Sequence, residues 1–147
     1  MDYRPGAVII PEQIHEAMVA HARFDFPNEA CGLLAADEQG RVRMAYCLTN
    51  AQASPTRYTL DPTEHFRAMR HAERQGWEII GVFHSHTHSA AYPSPTDVQL
   101  ALEPAWAYVI VSLARSEPDV RVFRIADGAV DEEPLVVSNS RQSNEDE

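Results

Sequence analysis

Three histidines stand at alternate positions in the middle of the chain, His84, His86 and His88, and Ser94 and Asp97 follow them. A short run of apolar and small residues directly precedes the first histidine and predicts a buried strand that ends where the histidines begin. Residues two apart in an extended segment point to the same side, so His84 and His86 can converge on one point. A carboxylate from Asp97 would complete a three-ligand metal site with one position left open.

The same residues also have simpler explanations. Ser94 and Asp97 occupy the N-cap and third positions of a predicted helix, and Asp61 and Glu64 repeat this pattern at another helix start. Capping does not exclude ligation, because a side chain at the third position can point sideways and a capping hydroxyl keeps a proton to donate. His88 stays open as a ligand, although three consecutive alternate ligands would strain one tetrahedral site.

Glu29 is the candidate for acid–base chemistry, and it lies between a predicted helix end and a predicted buried strand. A surface position in a turn is the usual explanation for such a glutamate. The functional alternative is a general base, because a metal-bound water needs a nearby carboxylate that takes its proton and passes it to the leaving amine. Cys31 is expected to be a small buried residue, since the sequence suggests no base that would make it a nucleophile.

The bulk composition excludes several classes of function. The 147 residues suit one domain, and a net charge of −10, from 22 acidic and 12 basic residues, argues against nucleic-acid binding. No apolar run approaches the roughly 18 residues of a membrane span, and the first residues lack the features of a secretory signal. With two cysteines, we expect a cytoplasmic protein with free thiols. We expect one domain over 1–137 and a disordered acidic tail over 138–147.

Helices and strands interleave along the chain. The sequence predicts helices from Pro11 to about Phe24, from Pro62 to about Gln75 and from Pro95 to about Leu102, and strands over 30–36, 42–48, 57–60, 77–83, 107–113, 120–126 and 135–137. The side chains expected to face the core from the first two helices are Ile14, Ala17, Met18, His21, Ala22, Phe66, Met69 and Ala72. This order predicts a mixed β-sheet flanked by helices, in the α/β or α+β range.

Taken together, Glu29, the tripeptide His84-Ser85-His86, Ser94 and Asp97 resemble the motif of the JAMM (MPN-plus) metalloprotease family. The seven residues before Ser94 and the two before Asp97 match the spacing of that motif, and the flanks of Glu29 are also similar. The resemblance covers residues 8–137. It implies the JAMM/MPN fold, a curved mixed β-sheet packed against helices, as in cytidine deaminases.

The resemblance also implies a role for each residue of the motif. One zinc ion would be held by His84, His86 and Asp97. Glu29 would act as general acid/base, and Ser94 as a hydrogen-bond donor that stabilises the tetrahedral intermediate.

Three stretches, 50–61, 91–98 and 127–134, are similar to compact bacterial members of the Mec type, which trim cysteine from the C-terminus of a ubiquitin-like sulfur carrier. This similarity implies a small sulfur carrier protein (ThiS- or MoaD-like) as partner. Its Gly-Gly tail would add to a sheet edge, for which 56–60 is the candidate, and enter a narrow cleft. A homodimer is compatible with the sequence, and the oligomeric state stays open.

Two other functions remain open. A broader isopeptidase that removes ubiquitin-like modifiers from lysines would use the same chemistry, so only substrate assays separate the two. A non-catalytic binding module on the same fold would have lost the metal ligands, and the complete set of motif residues argues against it.

Overall fold

The structure, a computed structural model, describes residues 7–139, which form eight strands and three helices. In chain order the elements are β1 (Val8–Pro11), α1 (Glu12–Asp25), β2 (Cys31–Ala36), β3 (Val42–Leu48), α2 (Pro62–Gln75), β4 (Glu78–His86), α3 (Pro95–Leu100), β5 (Ala107–Ser112), β6 (Asp119–Ala126), β7 (Ala129–Glu133) and β8 (Leu135–Ser138). The tail predicted over 138–147 falls, from residue 140 onward, outside the described residues. None of the three helices described combines the length and apolar character that crossing a membrane requires.

Six strands form one mixed sheet in the order β3-β2-β4-β5-β6-β7. β4 pairs antiparallel with β2 and parallel with β5, so it lies in the middle of the sheet. All residues of β2 and β5 are buried, because packed side chains cover both faces of the sheet. Strands covered on both faces need apolar or small residues at every position, which is what these two runs supply. The structure therefore confirms the predicted mixed sheet flanked by helices.

The two faces of the sheet are covered by different helices. On one face Met18 of α1 packs in a cluster with Phe83 and with Ile10 of β1. On the other face Ala68 of α2 packs in a cluster with Val82, and the loop before α2 adds Tyr58. Side chains alternate along a strand, so β4 sends neighbouring residues to opposite clusters.

The strand predicted over 57–60 is wrong, and with it the preformed sheet edge expected at 56–60. This segment makes one isolated bridge, between Asn50 and Leu60. The Asn50 side chain takes the place of a strand partner: its amide donates to the carbonyl of Arg57 at 2.9 Å, and its oxygen accepts the N–H of Thr59 at 3.2 Å. Backbone N–H and C=O groups that already bond to a side chain do not need a hydrogen-bond partner on a neighbouring strand.

The last predicted strand, 135–137, exists as β8 but does not close the main sheet. β7 occupies that edge, and β8 instead pairs in parallel with β1, a strand that was not predicted. Pro134 separates β7 from β8, and proline cannot donate to a ladder. Its carbonyl accepts the N–H of Val8 at 2.9 Å, which starts the new pairing.

Several expected core positions on the helices are wrong. Phe66 and Met69 are 59% and 49% exposed, and Ala17 is exposed as well. The buried residues of α2 are Ala68 and Ala72, and small side chains on this stripe let the helix lie close to the sheet. The large apolar side chains of α2 are therefore left on its outer side. The helix that begins at Pro95 ends at Leu100, two residues earlier than predicted.

Candidate metal centre

The end of β4 and the start of α3 bring three side chains of the predicted motif to one point. His84 Nε2 lies 3.2 Å from His86 Nε2, and Asp97 Oδ2 lies 3.2 Å and 3.0 Å from these two nitrogens. Both histidines are buried, and the aspartate is largely so. Among residues 7–139, these are the three groups that converge closely enough to hold a metal ion together.

The spacing of these atoms fits a zinc ion. In a tetrahedral site with bonds of about 2.0–2.1 Å, neighbouring ligand atoms lie roughly 3.3–3.4 Å apart. The observed separations of 3.0–3.2 Å are close to that edge length. Two imidazole nitrogens and one carboxylate oxygen are also a donor set that zinc accepts, with a fourth position left open.

Local contacts fix the orientation of each histidine ring. Nδ1 of His86 lies 2.8 Å from the carbonyl oxygen of Ala90. A carbonyl only accepts, so Nδ1 carries the proton and Nε2 is free to ligate, which is the usual arrangement around a metal. The ring of His84 stacks on Tyr58, with centroids 4.5 Å apart and planes 22° apart.

The helix cap and the candidate metal ligand are the same carboxylate. Ser94 Oγ accepts the N–H of Asp97 at 3.0 Å, and Asp97 Oδ2 accepts the N–H of Ser94 at 2.9 Å. This reciprocal pair is the predicted capping box. The same Oδ2 faces both histidines, so capping orients the aspartate for ligation. Within residues 7–139 the Ser94 hydroxyl donates to no acceptor, which leaves its proton for a substrate.

Glu29 is buried, only 4% exposed, which excludes the surface position that is usual for a glutamate in a turn. Strand β4 holds this segment in place, because Ser85 Oγ accepts the N–H of Ala30 at 2.8 Å and Ser85 N–H donates to the carbonyl of Ala30 at 3.0 Å. Asn50 donates to the carbonyl of Glu29 at 3.0 Å. In the part of the chain that is described, Glu29 Oε1 has no hydrogen-bond partner. A buried carboxylate oxygen without a partner is what a bound water or substrate would satisfy.

The electrostatics differ among these groups. Burial raises the pKa of Glu29 to about 7, an effect that His86 opposes and Asp97 supports. Burial would also raise the pKa of Asp97, but hydrogen bonds from His84 and His86 outweigh it and hold that pKa well below its ordinary value. Burial lowers the pKa of His84, whereas in His86 the bonds to Asp97 and to a backbone carbonyl outweigh burial and raise the pKa. Glu29 can therefore exchange a proton near neutral pH while Asp97 stays ionised.

His88 and Cys31 lie outside the group of converging side chains. His88 is exposed, with Nδ1 3.0 Å from Thr87 Oγ1 and its ring beside Phe26, and it is absent from the converging set. Cys31 is buried, and burial together with nearby acidic groups raises its pKa to about 12. A thiol that holds its proton so firmly does not act as a nucleophile.

Sequence reasoning missed three residues that support the site: Tyr58, Asn50 and Ser85. Ser85 had a local signal, because it lies between the two histidines and must point to the other side of the strand, toward the segment of Glu29. The other two had no such signal. Tyr58 and Asn50 reach the site from a loop whose path depends on the packing of α2.

Comparison with known proteins gives findings that agree with one another. A family model described as prokaryotic homologs of the JAB domain (Prok-JAB) matches residues 11–126. The CysO-cysteine peptidase of Mycobacterium tuberculosis is 46% identical over 139 residues, which are 91% of this chain and 95% of that protein. The probable TtuB-protein conjugate cleaving protease of Thermus thermophilus is 31% identical over 127 residues, 86% of this chain and 81% of that protein. A protein from Desulfitobacterium hafniense, solved in solution, matches with a TM-score of 0.83 and 38% identity over 90% of this chain and 93% of its own.

Proposed function

The chain belongs to the family of prokaryotic homologs of the JAB domain, as its motif predicted, and we propose that it is a zinc-dependent peptidase of the JAMM type. Its substrate is a ubiquitin-like sulfur carrier protein, and the bond hydrolysed follows the C-terminal Gly-Gly. The product released is cysteine or a short C-terminal extension.

The observation that carries this proposal is the convergence of His84, His86 and Asp97 within 3.2 Å of one another beside the buried carboxylate of Glu29. These three residues would hold the zinc ion. When bound, zinc supplies Lewis acidity, which polarises a carbonyl and makes a coordinated water more acidic.

The chain's own residues supply the proton transfers and the charge stabilisation. Glu29, whose pKa burial raises to about 7, takes a proton from the attacking water and returns it to the departing amine. Ser94 donates its hydroxyl proton to the oxygen on which negative charge develops. Because Ser94 Oγ already accepts the N–H of Asp97 at 3.0 Å, the hydroxyl is held in place before substrate arrives.

The substrate class is supported by relatives. The similarity to the CysO-cysteine peptidase extends over nearly the whole of both chains. A second candidate function is isopeptidase cleavage of protein conjugates, which the similarity to the TtuB-protein conjugate cleaving protease favours. Both reactions break a carbonyl–nitrogen bond after the carrier's last glycine, so the same side chains serve both. A non-catalytic binding module has no observation in its favour.

The deciding experiment compares two substrates of one carrier. The zinc-loaded protein is incubated with CysO carrying a C-terminal cysteine, and in parallel with CysO joined to a lysine side chain of a test protein. Mass spectrometry follows the mass of CysO. Loss of cysteine at a much higher kcat/KM than loss of the test protein is the expected result. Preferential cleavage of the conjugate would instead establish the isopeptidase function.

The controls of this experiment are the Glu29→Gln variant and the protein treated with a chelator. Both should leave the two CysO substrates intact. If neither substrate is cleaved by the zinc-loaded, unsubstituted protein, the proposed function is wrong.

A further inference from the structure

The outer side of α2 carries an open groove of about 530 Å³ lined by Phe66, Arg67, Arg70, His71 and Arg74. These five residues are called the α2 face below. The phenylalanine is 59% exposed and the three arginines are exposed. The guanidinium of Arg70 lies 5.8 Å from the centre of the Phe66 ring, so the groove combines cationic groups with an accessible aromatic surface. Aromatic side chains and arginines are the residues that most often anchor protein interfaces.

The arginines of the α2 face differ from others in the described part of the chain, because no carboxylate lies close enough to form an ion pair with them. Elsewhere arginines pair with carboxylates, for example Arg43 with Asp37 and Arg121 with Glu132. Across residues 7–139, none of the three arginines of the α2 face makes such a pair. The chain as a whole carries a net charge of −10. Three exposed arginines outside ion pairs, on a protein that is acidic as a whole, favour contact with an acidic surface at this face over contact elsewhere.

The α2 face is connected to the candidate metal centre. Glu64, in the first turn of α2, accepts the N–H of Thr49 at 2.6 Å and its hydroxyl at 2.8 Å. The next residue, Asn50, donates to the carbonyl of Glu29. Tyr58, which stacks on a histidine of the site, packs in the same cluster as α2. The helix and the site therefore lie on the same side of the sheet.

The first turn of α2 is the end of the helix whose contacts lead to the site. The 14 residues of α2 give a helix about 21 Å long. An extended tail covers about 3.3 Å per residue, so roughly six residues span most of the length of the helix.

We propose that the α2 face is the docking surface for the folded body of the carrier protein, which binds through an acidic surface with an apolar contact at Phe66. The proposal rests on the proposed function, because it takes the carrier as the substrate of the same site. It adds that recognition of the carrier depends on α2 as well as on the tail that enters the site.

The test reverses two charges of the α2 face in the zinc-loaded protein. Arg70→Glu/Arg74→Glu is compared with Arg23→Glu/Arg115→Glu, which reverses two exposed arginines elsewhere. Each protein is assayed on CysO carrying a C-terminal cysteine and on a short synthetic peptide of the same C-terminal sequence. The α2 variant should show a KM for the folded carrier raised by about tenfold or more, with kcat and peptide cleavage within about twofold of the unsubstituted protein. For the control variant, the KM for the folded carrier and the rate of peptide cleavage should both stay within about twofold of the unsubstituted protein.

A salt series and a charge swap test whether the contact between the carrier and the α2 face is electrostatic. The KM of the unsubstituted protein for CysO should rise with sodium chloride, and that of the α2 variant much less, because salt screens exposed charges. A CysO variant with acidic surface residues changed to lysine should restore cleavage by the α2 variant. Phe66→Ser should also raise the KM for CysO without changing peptide cleavage.

Three outcomes would overturn the proposal, and they differ from one another. An unchanged KM for CysO, or an equal loss on carrier and peptide, places the docking surface elsewhere and leaves the proposed function intact. A dimer of the unsubstituted protein that Arg70→Glu/Arg74→Glu dissociates in sedimentation assigns the α2 face to a second copy of the chain. If the unsubstituted protein cleaves neither CysO nor the peptide, the proposed function fails, and the docking assignment falls with it.

Discussion

Replacing Glu29 with glutamine should stabilise the metal-free protein at pH 8 much more than at pH 5. Burial raises the pKa of Glu29 from its ordinary 4.5 to about 7 in the folded protein. Below about pH 4.5 the carboxyl holds its proton in both the folded and the unfolded chain, so it does not change stability. Between pH 4.5 and 7 the unfolded chain releases the proton and the folded chain keeps it, so the free energy of unfolding falls as the pH rises.

The size of the effect follows from the two pKa values. The separation between 4.5 and about 7 corresponds to roughly 3 kcal/mol once the pH exceeds both. At pH 5 the loss stays below about 1 kcal/mol, and at pH 8 it is close to the full value of roughly 3 kcal/mol. The difference between the two proteins should therefore widen by roughly 2–3 kcal/mol over this range, or about 7–10 °C in Tm for a chain of this size. Any constant cost of burying the glutamine amide cancels in this comparison.

The assay is urea unfolding of both proteins in a chelator at pH 5, 6, 7 and 8. Glu38→Gln, which removes an exposed glutamate, is the matched control and should leave the pH dependence of stability as it is in the unsubstituted protein. A free-energy difference between Glu29→Gln and the unsubstituted protein that stays constant from pH 5 to pH 8 would refute the argument from burial. Loaded with zinc, the same variant should keep the metal and lose several orders of magnitude in kcat, as expected for a group that acts in the transition state.

Three further substitutions test the remaining parts of the site. Asp97→Asn should abolish zinc binding, measured by metal analysis after dialysis, because a neutral amide replaces the anionic ligand. Ser94→Ala should lower kcat on CysO-cysteine by about 10²–10³, the usual loss for one donor to a developing oxyanion. Ser85→Ala should lower the free energy of unfolding by roughly 1–3 kcal/mol in urea, because the buried N–H of Ala30 loses its acceptor.

Each of these substitutions has a control and a contradicting result. Asp61→Asn makes the same change from carboxylate to amide at the N-cap of α2 and should leave zinc content unchanged. If Ser94→Ala unfolds the protein without a specific loss of kcat, capping is the whole role of Ser94. Ser89→Ala removes an exposed hydroxyl, and an equal loss of stability in this variant would contradict the reasoning on Ser85.

The positions of the candidate ligands and of the cap could be predicted because their spacing is local. His84 and His86 lie two apart on one strand, so strand geometry alone puts both on the same side. Ser94 and Asp97 lie three apart at a helix start, so cap geometry alone pairs them. The structure places all four as these local rules predict.

The helix faces could not be predicted as reliably. The pattern of α2 favoured Phe66 and Met69 as core residues, since large apolar side chains usually turn inward. The structure confirms Ala72 as a core residue and adds Ala68, whereas Phe66 and Met69 are exposed. Small side chains on the buried stripe allow the helix to pack closely on the strands. How closely two elements approach is a property of the packed molecule, and the periodicity of one helix does not encode it.

The sequence alone determined the candidate chemical groups of this protein: the residue types, their local spacing and the motif that they form with Glu29. Only the tertiary structure decided that Glu29 is buried, with one carboxylate oxygen that has no hydrogen-bond partner among residues 7–139, because its burial depends on Ser85 of β4 and on Asn50 of a distant loop. It also decided that α2 leaves an aromatic ring and three arginines on the surface. Local rules hold within one element, where the backbone repeats itself. Burial and exposure depend on which elements meet, and that is settled only when the whole chain packs.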